Sequence, residues 1–96
     1  MTDDAPRLPT SGTDAAGADA HAAVLTAPNW ACSHLQATVT ANGAIISLDG
    51  GTTDHLALEA DTTLVVNDLY IPAGASIMAK NITAGSAYAT LFVSIW

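Results

Sequence analysis

The run His34-Leu35-Gln36-Ala37-Thr38-Val39-Thr40-Ala41-Asn42-Gly43-Ala44-Ile45-Ile46-Ser47-Leu48 decides the class of the fold. Its first seven residues alternate. Leu35, Ala37 and Val39 fall on one face, and Gln36, Thr38 and Thr40 on the other, the period of a half-buried strand. Asn42-Gly43 is a hairpin signal, because both residues accept a positive φ. Ala44 to Leu48 then reads as a second strand. The same punctuation continues downstream. Asp49-Gly50-Gly51 is a turn, and residues 53–60 are a strand with Leu56 and Leu58 inward. A tight turn at Ala60-Asp61 leads into a strand over 62–66. Asn67-Asp68 turns into the short Leu69-Tyr70-Ile71, and Pro72-Ala73-Gly74 turns again. Ser76–Asn81 is a strand, Ala84-Gly85-Ser86 the last turn, and residues 88–96 the closing strand. Upstream, Ala22–Thr26 is a candidate first strand. No helical period competes after residue 25. The pattern predicts an all-β chain, a single small β-sandwich or barrel of about seven or eight antiparallel strands.

Working towards the N-terminus, the composition shifts near residue 20. Residues 1–20 hold Asp3, Asp4, Asp14 and Asp19, two prolines, two glycines, and Leu8 as the only large apolar residue after Met1. Such a segment buries too little apolar surface to offset the entropy of ordering it. It is expected to be a flexible or extended N-terminal arm, with the β domain spanning 21–96. A short helix over 15–23 competes, with Thr13 or Asp14 as N-cap, but Gly17 weakens it.

Charge narrows the range of partners. The net charge is −7, with Arg7 and Lys80 the only basic residues besides histidine. Nucleic-acid binding through a basic patch needs several Lys or Arg to neutralise phosphates, and an anionic membrane has the same requirement. The expected partner is neutral or basic at the contact. The first residues, Met1-Thr2-Asp3-Asp4-Ala5-Pro6, offer neither a basic nor an apolar region of a secretory signal. No stretch approaches the length of a membrane span. One cysteine allows no internal disulfide and suits a reducing compartment.

A search for chemistry finds no catalytic constellation. Cys32 and His34 share a strand face if the strand is regular, but no third group orients them, and a small buried apolar cysteine is the simpler reading. His21, His34 and His55 match no local metal motif. The segment Asp49 to Asp54 lacks the repeated acids and terminal Glu of a calcium loop. Its glycines are followed by neither a helix nor Lys-Ser/Thr, so they do not form a phosphate loop. The chain is therefore expected to be neither an enzyme nor a metal- or cofactor-binding protein.

The closing strand carries the most information about partners. Leu91, Val93 and Ile95 form one face, and Tyr88, Phe92 and Trp96 the other. A strand apolar on both faces is buried between two layers or has its outer face covered by a partner. The expected contact residues are Arg7 and Leu8 of the arm together with Trp30, Tyr88, Phe92 and Trp96.

Motifs of the second half resemble a known group. They are Ile46-Ser47-Leu48-Asp49-Gly50-Gly51-Thr52-Thr53-Asp54-His55, Ile71-Pro72-Ala73-Gly74-Ala75, Lys80-Asn81, Ala84-Gly85-Ser86-Ala87-Tyr88 and Leu91-Phe92-Val93-Ser94-Ile95-Trp96. Across residues 44–96 the chain is similar to small structural proteins of tailed bacteriophages, most like a head decoration (cement) protein. That resemblance implies a module made in the host cytoplasm that sits on the outer capsid surface of the virion. It implies the major capsid protein as partner, a homo-oligomer with a trimer favoured, and no cofactor. It supplies no match for residues 1–20. The alternative is a carbohydrate- or receptor-binding module of a phage tail or fibre, with Trp30, Tyr70 and Tyr88 as stacking platforms.

Overall fold

A computed structural model describes residues 8–96, so Arg7 and the start of the expected arm lie outside the described residues. Eight strands follow in order: β1 (Thr10–Asp14), β2 (Ala22–Thr26), β3 (Leu35–Thr40), β4 (Ala44–Ser47), β5 (Leu56–Leu58), β6 (Thr63–Val66), β7 (Ser76–Asn81) and β8 (Thr90–Ile95). They form two four-stranded antiparallel sheets, β1-β8-β3-β6 and β2-β7-β4-β5. The described residues contain no helix. The sheets remain separate, so the arrangement is two-layered and not a closed barrel.

The pairing has a simple logic. First pairs with last (β1 with β8), and then β2 with β7, β3 with β6, and β4 with β5. The chain is thus one long hairpin wrapped into two sheets, the strand order of an eight-stranded jelly roll. The expected inward residues Leu35, Ala37, Val39, Leu91, Val93 and Ile95 of the first sheet and Leu58 of the second point into one core, and Leu56, also expected inward, packs against it partly buried. Ala44, Ile46, Ile77 and Ala79 of the second sheet, to which the sequence assigned no face, complete it. Cys32 is buried and exchanges backbone hydrogen bonds of 2.9 Å with Ile71, all that forms of the expected 69–71 strand.

Three sequence expectations change. Asn42-Gly43 does not close a hairpin, because β3 and β4 lie in different sheets. The positive φ falls on Ala41 (72°), whose N–H donates to Asp61 Oδ1 at 2.8 Å. Gly43 serves close approach instead: a Cβ there would lie 2.4 Å from the Leu58 carbonyl oxygen. The turn at Ala60-Asp61 likewise crosses between sheets. Asp49-Gly50-Gly51 lies in the loop that joins paired neighbours, β4 and β5, with φ of 76° and 92° at its glycines.

The second change concerns residues 10–14, placed in the arm by composition but found as an edge strand beside β8. The physical reason is that β1 needs little apolar area of its own. It satisfies backbone groups of β8, and Gly12 lets it approach β2 so closely that a Cβ would lie 2.3 Å from the Val24 carbonyl oxygen. Third, the helix competing over 15–23 does not form. Gly17 N donates to Tyr88 O at 2.9 Å and Asn81 N to Ala18 O at 2.7 Å, so this stretch is tied to its neighbours as a crossover.

Candidate interaction face

The outward side of the β1-β8-β3-β6 sheet follows from register alone. With Leu91, Val93 and Ile95 inward, Thr90, Phe92 and Ser94 face out. The same alternation turns out Gln36, Thr38 and Thr40 on β3. Two cross-strand rows result: Thr13–Phe92–Thr38–Thr63 and Ser11–Ser94–Gln36–Val65. Hydroxyls bridge the strands. Ser11 Oγ donates to Ser94 Oγ at 3.1 Å, and Thr38 Oγ1 and Thr63 Oγ1 lie 3.0 Å apart. At the end of β8 the His34 and Trp96 rings stack, with centroids 5.3 Å apart and planes 9° from parallel. Phe92 remains 43% exposed and Trp96 38%. None of these row positions carries a formal charge, although the chain has nine carboxylate side chains.

The outward side of the other sheet is different, because a loop covers part of it. Ser47 has the outward parity of Ile45 yet is fully buried. The β4–β5 loop folds back over it. Gly51 N donates to Ser47 Oγ at 2.9 Å, Ser47 Oγ donates to Asp49 Oδ1 at 2.8 Å, and Gly50 N reaches Ser76 O at 3.0 Å. Asp54 fastens the far side of the loop, 2.9 Å from His21 Nε2 and 3.4 Å from Lys80 Nζ. The Thr53 N–H, at 2.9 Å, is the main reason that the Asp49 carboxyl is held down at about 2. Asp54 is also lowered: desolvation opposes the shift, and its contacts with His21 and Lys80 outweigh it. Both acids of the segment considered for calcium are thus engaged within the fold. His55 Nδ1 accepts the Leu48 N–H at 3.0 Å.

The expected contact residues separate into groups. Phe92 and Trp96 lie on the bare face. Leu8 is exposed, Trp30 is partly buried and packs against the core, and Arg7 is outside the described residues. Tyr88 is a correction: it is 1% exposed, in the core, and its hydroxyl donates to Asp14. Strict alternation would put residues 88 and 91 on opposite faces. The chain breaks register before β8, where Ala89 N donates to Thr40 O, and both side chains turn inward. Burial, and then the bond to Asp14, push the Tyr88 hydroxyl far above its ordinary range.

The three histidines are dispersed among separate contacts, and no cluster of three metal-ligating side chains occurs among the described residues. Cys32 lies in the core, whereas His34 stacks on the outer rim. Sequence reasoning missed the hydroxyl rows. Gln36, Thr38 and Thr40 were visible as an outward set. Ser11 and Thr13 lay hidden in a segment of arm-like composition.

No protein-family model, curated protein or solved structure matches the chain.

Proposed function

We propose that the protein is a capsid decoration protein that binds the outer surface of a phage head and stabilises the expanded shell, with the major capsid protein as its partner. The observation that carries this reading is the contrast between the two outer faces. One is partly covered by its own loop over Ser47 and carries the His21–Asp54–Lys80 charges, and the other has uncharged cross-strand rows, is covered by no loop among the described residues, and is marked by Phe92 and Trp96. Covering the exposed part of each ring contributes about 2 kcal/mol, at about 25 cal/mol per Å². The hydroxyl rows offer hydrogen bonds without the cost of desolvating a charge. A module that binds only the expanded shell stabilises it by mass action, and many copies add their effects. The motif resemblance over residues 44–96 points the same way. The jelly-roll order is used by viral capsid and lectin domains alike, so the fold admits this role without specifying it. The role is structural, involves no catalysis and requires no cofactor.

The carbohydrate-binding alternative relied on Trp30, Tyr70 and Tyr88 as platforms. Tyr88 is in the core and Trp30 packs against it, which leaves Tyr70, 71% exposed, as the open ring. The shell reading is therefore preferred.

Co-sedimentation with expanded shells lacking the protein tests it. Wild type should bind. Gln36→Glu adds one charge in the middle of the face, and Phe92→Ser removes a ring; each should weaken binding about tenfold or more. Gln36→Glu should leave the melting temperature of the free protein unchanged. Wild-type protein that stays in the supernatant, or Gln36→Glu that binds as well as wild type, would refute the proposal.

A further inference from the structure

The two sheets have four edge strands, and three of them are blunted. β1 and β2 pack against each other at Gly12 and Val24, and β2 carries a register shift between Ala23 and Leu25. β5 has only three residues. β6, Thr63-Leu64-Val65-Val66, is different. It is regular, contains no charge, proline or glycine, and leaves Val65 52% exposed. Open edges of this composition are templates for strand addition.

The backbone shows which groups the edge offers. Val39 N donates to Thr62 O at 3.1 Å, so even-numbered residues on this side turn their backbone groups towards β3. The parity of β3 agrees: Thr40 O and His34 O and N bond towards the β8 side, and Ser33 O accepts from Leu69 on the β6 side. In an antiparallel ladder, bonding alternates residue by residue. The N–H and C=O of Thr63 and Val65 therefore point away from the domain.

The geometry points to a second copy of this chain as the occupant, added antiparallel through β6 about a twofold axis. Only one register uses both outward residues twice over: Thr63 faces the partner's Val65 and Val65 faces the partner's Thr63, each pair exchanging N–H and C=O bonds. That register places Leu64 against the partner's Leu64. It sets Asp61 opposite the partner's Asn67 and Asp68 opposite the partner's Ala60, so the flanking acids do not meet. A contact that repeats itself in this way is isologous and closes at two subunits, not the three that the sequence resemblance implies. The pairing also merges two uncharged outer faces into one sheet of double width. It stands on backbone geometry, independently of what that face binds.

The test exploits the outward N–H of Val65. Proline tolerates an edge position whose N–H faces solvent, so Val65→Pro should abolish the dimer and keep the fold. Sedimentation equilibrium should show wild type moving from monomer to dimer with concentration and Val65→Pro remaining monomeric. Amide exchange needs no variant: Thr63 and Val65 should gain protection as concentration rises, while Leu64 and Val66, bonded within the domain, should be protected throughout. Wild type that stays monomeric to about 1 mM, a trimer, a dimer that survives in folded Val65→Pro, or Thr63 and Val65 amides with protection independent of concentration would overturn the inference. Shell co-sedimentation of wild type, read beside sedimentation equilibrium of the free protein, separates the two proposals. A free dimer that also binds shells supports both, and a wild type that binds shells but stays monomeric when free overturns the dimer contact and leaves the decoration role standing. Failure of wild type to bind shells would count against that role alone.

Discussion

Asp49 shows how single side chains shape an outer face indirectly. Its carboxylate accepts the Thr53 N–H and the Ser47 hydroxyl, and the loop those bonds hold keeps Ser47 covered on the outer side of the β2-β7-β4-β5 sheet. Because its folded value lies near 2, below the ordinary 3.8, the carboxylate's stabilising contribution is fully present above the ordinary value. It is lost as the pH falls from there towards 2. In wild type, the protection of the Gly51 and Thr53 amides, measured against their intrinsic exchange rate at each pH, should therefore fall across that interval. In Asp49→Ala the same amides should lack that protection already at neutral pH, and the acid step should flatten. Identical acid profiles for the two proteins would show that the carboxylate does not hold the loop. Tyr88 and Phe92 make a second residue-scale point. Both are aromatic residues near the end of the chain, and the sequence pattern assigns them one face. One backbone irregularity at Ala89 sends the first into the core and leaves the second outside.

Strands and turns were legible in the sequence wherever side-chain alternation was strong. β3, β7 and β8 appear where the alternation and the Gly/Pro punctuation place them, β8 shorter than the expected 88–96, and so do the inward residues named for β3 and β8. The partners of each strand were not legible. An Asn-Gly pair signals a tight change of direction, but the next strand is free to join its neighbour or to cross to the opposite layer. Here Asp61 caps Ala41 and the backbones pack closely at Gly43, which turns the chain across. β1 was missed because burial drives the reading, and Thr10–Asp14 contributes backbone pairing and hydroxyls where a core strand would contribute apolar area. Truncation should expose the difference. A chain trimmed to begin at Thr10 keeps every β1–β8 pair and should melt as the full chain does. A chain trimmed past Asp14 uncovers the edge of β8 and strands the buried Tyr88 hydroxyl, and should melt about 10 °C lower or more. Equal melting temperatures for the two truncations would mean that β1 adds no stability.

At the level of the whole molecule, the wrapped hairpin makes nearly every strand pair a distant one in sequence. The bond between Ser11 and Ser94 spans 83 positions. Loop closure must precede the contacts that reward it, so folding should take milliseconds to seconds. Stopped-flow refolding checks this, and microsecond folding would contradict the topology. The distribution of charge has another result. Among the described residues no carboxylate occupies the outward rows of the β1-β8-β3-β6 sheet, so in the proposed role attachment through that face would turn the acidic remainder outward. A shell coated in this way would acquire a dense negative exterior. Neighbouring particles would then repel one another over roughly a Debye length, about 8 Å at physiological salt. Besides reinforcing its support, the coat would act as a colloidal stabiliser, keeping crowded particles dispersed until rising ionic strength screens them.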